Sequence, residues 1–137
     1  MTSNVTTEQL IEEAITAREK SIAPYSGYTV GAALLTEEDQ IVSAGNIESS
    51  TYGLTLCAER VAMFSALADG HRAFRGIAVA TRNGGSPCGA CRQILWEFAG
   101  DIPVFLVDEN RNIEKTQLLN LLPQPFDKSK LETSSDL

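Results

Sequence analysis

Residues 76–107 read GIAVATRNGGSPCGACRQILWEFAGDIPVFLV. Gly76–Thr81 is a short, nearly continuous apolar run, the pattern of a strand buried on both faces. Asn83-Gly84-Gly85-Ser86-Pro87 is a loop by composition. Cys88–Phe98 has helical spacing and is closed by Gly100, and Ile102–Val107 is a second strand. Downstream, Asp108–Asn112 is a turn and Thr116–Leu122 a short helix ended by Pro123. Upstream, Cys57–Asp69 reads as a helix with Gly70 placed to end it in the left-handed conformation. Tyr28–Thr36 and Gln40–Ile47 are apolar runs separated by Glu37-Glu38-Asp39, a plausible antiparallel hairpin. A first helix over Thr7–Ser21 carries Leu10, Ile11, Ala14, Ile15 and Arg18 at helical spacing. Thr6 and Gln9 form its capping box and Pro24 stops it. The order implies an α/β fold in which helices cover the faces of one mixed sheet.

At 137 residues the chain has the size of one domain, with a core over about residues 6–126 and a polar tail at 127–137. Hydrophobic residues make up 43% and charged residues 21%, which suits a globular fold. The net charge of −7 weighs against a nucleic-acid polymer as partner, because that affinity comes from clustered positive charge. No apolar run approaches the roughly 20 residues that span a bilayer, and the first residues lack a secretory pattern, so the cytoplasm is the expected compartment. Disulfides are rare there, and three cysteines ask for another explanation.

Cys88 and Cys91 are three apart on one helix face, and Cys57 opens the preceding helix. Cys57, Val61, Phe64 and Ala68 form one apolar stripe, and Cys88, Cys91, Leu95 and Phe98 another, so the thiols sit where two core-facing stripes begin. Helix N-termini favour thiolates. Three thiolates around Zn²⁺ leave a net −1, which Arg60, one turn from Cys57, and Arg92, beside Cys91, can offset by hydrogen bonds to sulfur. Three inert thiols without metal, or a closed structural zinc, are the alternatives. The latter needs a fourth ligand, and His71 lies beyond a helix about 20 Å long. An open site holding water is the arrangement of catalytic zinc. Glu59 can face that water only if Cys57 is a non-helical cap, since helix positions two apart point to nearly opposite sides. Otherwise Glu59 is a solvated first-turn glutamate.

Cys57-Ala58-Glu59-Arg60 with Pro87-Cys88-Gly89-Ala90-Cys91-Arg92-Gln93 resembles the zinc site of the cytidine deaminases, in their small homotetrameric three-cysteine branch. Tyr25–Leu34, Gly45–Glu48, Tyr52–Thr55 and Leu121-Leu122-Pro123 with Phe126 are similar to family segments as well. The resemblance implies a three-layer α/β/α fold around a mixed five-stranded sheet. It also implies one zinc ion per subunit on Cys57, Cys88 and Cys91, with Glu59 carrying protons from water to N3 and to the leaving amine of cytidine or 2′-deoxycytidine. Asn46 and Glu48 would bind the ribose hydroxyls and Tyr28 would line the base pocket. Phe126 and Ser50–Tyr52, including Tyr52 itself, would come from neighbouring subunits of a homotetramer.

Tyr28 stands where the family usually has phenylalanine, and Ser49-Ser50-Thr51 replaces its common Asn-Ala-Ser, which leaves modified pyrimidine nucleosides as an alternative substrate class. Outside enzymes, the alternative is a zinc-binding interaction module. Relatives acting on polynucleotides usually have a histidine first ligand and run their next strand parallel. Here the link after Ile102–Val107 is only about five residues, which requires an antiparallel neighbour.

Overall fold

A computed structural model describes residues 4–131. Five strands form one mixed sheet in the order β2-β1-β3-β4-β5: β1 Gly31–Thr36, β2 Ile41–Gly45, β3 Phe74–Ala80, β4 Pro103–Val107 and β5 Ile113–Gln117. β1 is antiparallel to both β2 and β3, β3 is parallel to β4, and β4 is antiparallel to β5. The hairpin and the antiparallel last strand are as the sequence predicts.

Alternation along the central strands sends side chains into two separate cores. Ala33 and Leu35 of β1 with Ala78 and Ala80 of β3 pack under helix α1, Thr7–Ala17, through its Leu10, Ile11 and Ala14. Ala32, Leu34, Ile77 and Val79 face the other way. There they meet Ala58, Ala62, Met63 and Ala66 of α2, Ala58–Ala68, and Leu95 of α3, Gly89–Ala99. The result is three layers, with α1 on one face and α2 and α3 side by side on the other. The capping box is present: Gln9 N donates to Thr6 Oγ1 at 3.1 Å and Thr6 N to Gln9 Oε1 at 2.8 Å.

Several boundaries differ from the sequence reading. Residues 28–30 do not extend β1, because the Asn46 side chain takes over their pairing. Its Oδ1 accepts from Val30 N at 2.9 Å and its Nδ2 donates to Tyr28 O at 3.0 Å. Residues Thr116 and Gln117 belong to β5, where they pair with Val104 and Pro103, so the last helix, α4, is only Leu118–Leu121. Tertiary pairing overrides local helix preference there.

Within the tail, Lys128–Leu131 form a 3₁₀ turn, and residues 132–137 lie outside the described residues. The stripe expectation is corrected. Phe64 and Phe98 are 39% and 40% exposed, and the buried face of α2 is Ala58, Glu59, Ala62, Met63 and Ala66. Cys57 has extended backbone and precedes α2, so counting helical steps from it puts that stripe out of phase, whereas in α3 Cys91 and Leu95 are buried as expected and Phe98, in the last turn, departs.

The end of α1 and the Lys20–Ser21 segment after it rest on two glycines that face each other across β1 and β2, Gly31 under the helix end and Gly45 under Lys20–Ser21. A Cβ at Gly31 would lie 2.1 Å from Ala14 O, and one at Gly45 2.4 Å from Ser21 N. These contacts are with backbone, which cannot swing aside. Gly31→Ala should therefore cost about 3 kcal/mol or more, read as a lowered denaturation midpoint. A midpoint equal to wild type would contradict this packing.

Candidate active site

Both helices on the second face start at a cysteine. Cys57 is the N-cap of α2 with ψ 151°, and Cys88 the N-cap of α3 with ψ 168°. Cys91 lies one turn into α3 and is fully buried. The sulfurs converge, with Cys57 Sγ 3.7 Å from Cys88 Sγ, Cys88 Sγ 3.4 Å from Cys91 Sγ, and all three within 4.8 Å of one another. Sulfurs bound tetrahedrally to Zn²⁺ at about 2.3 Å stand about 3.8 Å apart, so the cluster fits the ion with little adjustment. Among the described residues no fourth His, Cys, Asp or Glu joins the group. His71 is elsewhere, with its Nδ1 3.3 Å from Glu38 Oε1.

The extended cap decides where Glu59 goes. With Cys57 outside the helical phase, Glu59 at the second helical position turns inward and is only 4% exposed. Its Oε1 is buried with no hydrogen-bond partner. Burial pushes the Glu59 carboxyl up to about 7. The sulfurs divide their protons unequally. Cys57 is lowered to about 5, chiefly by a hydrogen bond from Cys91 and also by the Arg60 guanidinium, whose Nη2 donates to Cys57 Sγ at 3.4 Å. Cys91 is pushed up because it shares its proton with Cys57, is buried, and faces the Glu59 charge.

Arg60 therefore touches a sulfur as its spacing predicts; Arg92 does not. Arg92 follows Cys91 by one position, about 100° round the helix. Its Nε donates to Pro87 O at 2.7 Å, its Nη1 to Leu121 O at 2.7 Å and its Nη2 to Ser86 Oγ at 2.8 Å. It braces the loop that delivers Cys88 instead of the sulfurs.

The site opens into a cavity of about 330 Å³ whose walls include Tyr28, Asn46, Glu48, Cys57, Glu59 and Cys88. Asn46 is buried beside the backbone of 28–30. Glu48 Oε1 accepts from Tyr25 N at 2.9 Å and Ser26 N at 3.1 Å, and Oε2 accepts from Ser26 Oγ. The Ser26 hydroxyl and these amides hold the Glu48 carboxyl below its usual range. Tyr28 Oη donates to Asn83 Oδ1 at 2.6 Å, and the loop beyond is folded by Thr81 Oγ1, which accepts from Gly84 N at 2.8 Å and Gly85 N at 3.0 Å.

Ser26, Thr81, Gly85 and Ser86 also line the cavity and were not singled out by sequence. Their only signal was the loop composition after β3 and the Tyr25–Gly27 segment. Ser50, Tyr52 and Phe126 do not line it. Tyr52 and Phe126 are 72% and 54% exposed on this chain's own surface.

Comparison with known proteins agrees with this geometry. The cytidine and deoxycytidylate deaminase zinc-binding region matches residues 4–106. The chain belongs to that deaminase family. A cytidine deaminase of Sporosarcina psychrophila is 46% identical over 132 residues, covering 94% of this chain and 97% of that protein. The crystal structure of cytidine deaminase from Burkholderia pseudomallei superposes with a TM-score of 0.86 at 44% identity, over 89% of this chain and 100% of that one. The family is not uniform in substrate, since a blasticidin-S deaminase of Bacillus cereus is 33% identical over 132 residues, 87% of this chain and 93% of that protein.

The buried carboxyl of this deaminase has a consequence for stability. Glu59 ionises near 7 when folded and at 4.5 when unfolded. The folded state thus binds more protons between these values, and stability falls as pH rises through that window. In chelator-treated protein, Glu59→Gln should stabilise by on the order of 3 kcal/mol at pH 8, and the gain should shrink toward zero below pH 4.5. Melting curves across this range check it, and a variant no more stable than wild type at pH 8 would contradict it.

Proposed function

We propose that the chain hydrolytically deaminates cytidine and 2′-deoxycytidine to uridine and 2′-deoxyuridine, releasing ammonia. The observation that carries this reading is the buried Glu59 carboxyl, its Oε1 without a hydrogen-bond partner, in the same cavity as Cys57 and Cys88. Cys57, Cys88 and Cys91 would hold one zinc ion, whose chemistry when bound would be to bring the pKa of water toward neutrality. Glu59 accepts a proton from the water whose oxygen bonds C4 and passes it to N3 of the base; it then takes the proton of the new C4 hydroxyl and gives it to the amine, whose bond to C4 breaks to release ammonia. A carboxyl with a pKa near the working pH can both take and give. Arg60 draws charge from Cys57, which keeps a three-thiolate site electrophilic. Asn46 and Glu48 follow β2; the Asn46 Oδ1 is filled by Val30 N and Ser21 Oγ, so Asn46 offers its second Nδ2 hydrogen and Glu48 the remaining lone pair of Oε2 to sugar hydroxyls. Tyr28 presents its ring to the base while its hydroxyl is occupied by Asn83.

The pocket is completed in a homotetramer, where Ser50, Tyr52 and Phe126 reach the cavity of a neighbouring copy. Their position outside this chain's own cavity supports that, as do the exposed Leu54, Phe64 and Ile113. A free nucleoside, not a polynucleotide, is the substrate: the charge is −7 and β5 runs antiparallel to β4. Three free cysteines suit the reducing cytoplasm. A modified nucleoside is the second reading, favoured by the 33% identity to a blasticidin-S deaminase.

An absorbance assay of cytidine, 2′-deoxycytidine, CMP and N4-substituted cytidines separates these readings. The two free nucleosides should turn over, and no change with either would refute the proposal. Glu59→Ala should retain zinc and lose about 10²–10⁴-fold in kcat, the usual contribution of a general acid–base. A zinc-loaded Glu59→Ala protein with wild-type turnover would overturn the assignment of Glu59 as the proton carrier.

A further inference from the structure

Residues 122–127 follow α4 without regular helix or strand, so neither a ladder nor a helical repeat fixes their place. α3 holds them instead, through side chains on one flank. Arg92 Nη1 donates to Leu121 O at 2.7 Å, Gln93 Nε2 to Phe126 O at 2.7 Å, and Trp96 Nε1 to Asp127 Oδ2 at 2.9 Å. The donors are themselves fixed. Gln93 Nε2 also donates to Glu97 Oε1 at 3.0 Å, and the Trp96 ring packs against the core that α2 and α3 share.

Asp127 is a firm acceptor. Its other oxygen accepts from Ser129 N at 2.9 Å and from Ser129 Oγ, and these donors with Trp96 hold its carboxyl below the usual range. Between the anchors, Pro123 and Pro125 restrict the backbone, so the segment is short, stiff and pinned at both ends. The anchors bracket one residue: the Phe126 carbonyl is bonded and the next side chain is bonded, yet the Phe126 ring projects outward, more than half exposed.

We propose that Gln93, Trp96 and Asp127 are positioning residues that clasp the C-terminal segment onto α3 and so aim the Phe126 ring into the cavity of a second copy of the chain. This rests on the reading of Phe126 given above and says what makes that ring effective. A ring held in its bound position before substrate arrives does not have to be ordered at the moment of binding. Because α3 also carries Cys91 in its first turn, the clasp ties the donated ring to the helix that builds the donor's own sulfur cluster.

The test compares KM and kcat for cytidine in zinc-loaded Phe126→Ala, Trp96→Phe, Asp127→Ala, Asp127→Asn and the double variant Trp96→Phe/Phe126→Ala. Phe126→Ala should raise KM. Trp96→Phe and Asp127→Ala should each raise KM about three- to tenfold, the worth of one aromatic contact, with zinc content and oligomer mass unchanged. Their kcat should stay within about twofold, because the chemistry itself is untouched. Asp127→Asn keeps an oxygen acceptor and should restore most of the loss. The double variant should be no worse than Phe126→Ala alone.

If Phe126→Ala raises KM while the Trp96 and Asp127 variants do not, or if their effects add to its effect, the clasp is overturned and the role of Phe126 stands. If Phe126→Ala leaves KM unchanged, the reading of Phe126 fails and the clasp fails with it.

Discussion

Two helices that begin at cysteine, each with extended backbone at the cap, set the geometry on which the site depends. A serine, threonine or aspartate cap would satisfy the first N–H groups by its own side chain and contribute about 1 kcal/mol. Cys57 and Cys88 make no such bond. They leave positive helix ends facing a cluster of sulfurs, where thiolate charge is favoured. The extended cap also shifts the phase of α2 by enough to bury Glu59 in place of exposing it. One backbone choice at residue 57 thus places Cys57 and the buried Glu59 carboxyl on the same cavity.

The sheet makes that choice possible. β3 and β4 run parallel with α3 crossing between them, so the N-terminus of α3 arrives at the carboxyl edge of the strands, where open α/β sheets bind ligands. The start of α2 is brought to the same edge, as the 3.7 Å approach of Cys57 and Cys88 records. α1 closes the opposite face and can do so only because Gly31 admits its end, and Gly45 the Lys20–Ser21 segment that follows, against the backbone. The catalytic edge is therefore held by a core on each side of the sheet.

Much of this is legible in the sequence because it is local. The Cys88–Cys91 pair, the Cys57–Glu59 spacing, the capping box at Thr6 and Gln9 and the short link before β5 all lie within a few residues. What escaped is carried by contacts across long separations. Its position in the chain points Arg92 to the sulfur one residue away, yet one of its acceptors is Leu121, 29 positions on. Tyr28 meets Asn83 across 55 positions, and nothing in either neighbourhood announces the bond. The departure of the α2 stripe through Phe64 has a different cause. Periodicity assumes that the first residue counted is helical, and here the first residue is the extended cysteine at the cap.

The central claim is that three cysteine sulfurs, and no fourth protein ligand, hold the zinc and leave its remaining position to the cavity that Glu59 faces. X-ray absorption at the zinc edge of the purified protein tests it most directly. The account predicts three sulfur neighbours at about 2.3 Å and one oxygen at about 2.0 Å, with the sulfur count falling in Cys88→Ala protein. Four sulfur neighbours, a histidine nitrogen in the shell, or a shell unchanged by loss of Cys88 would contradict it.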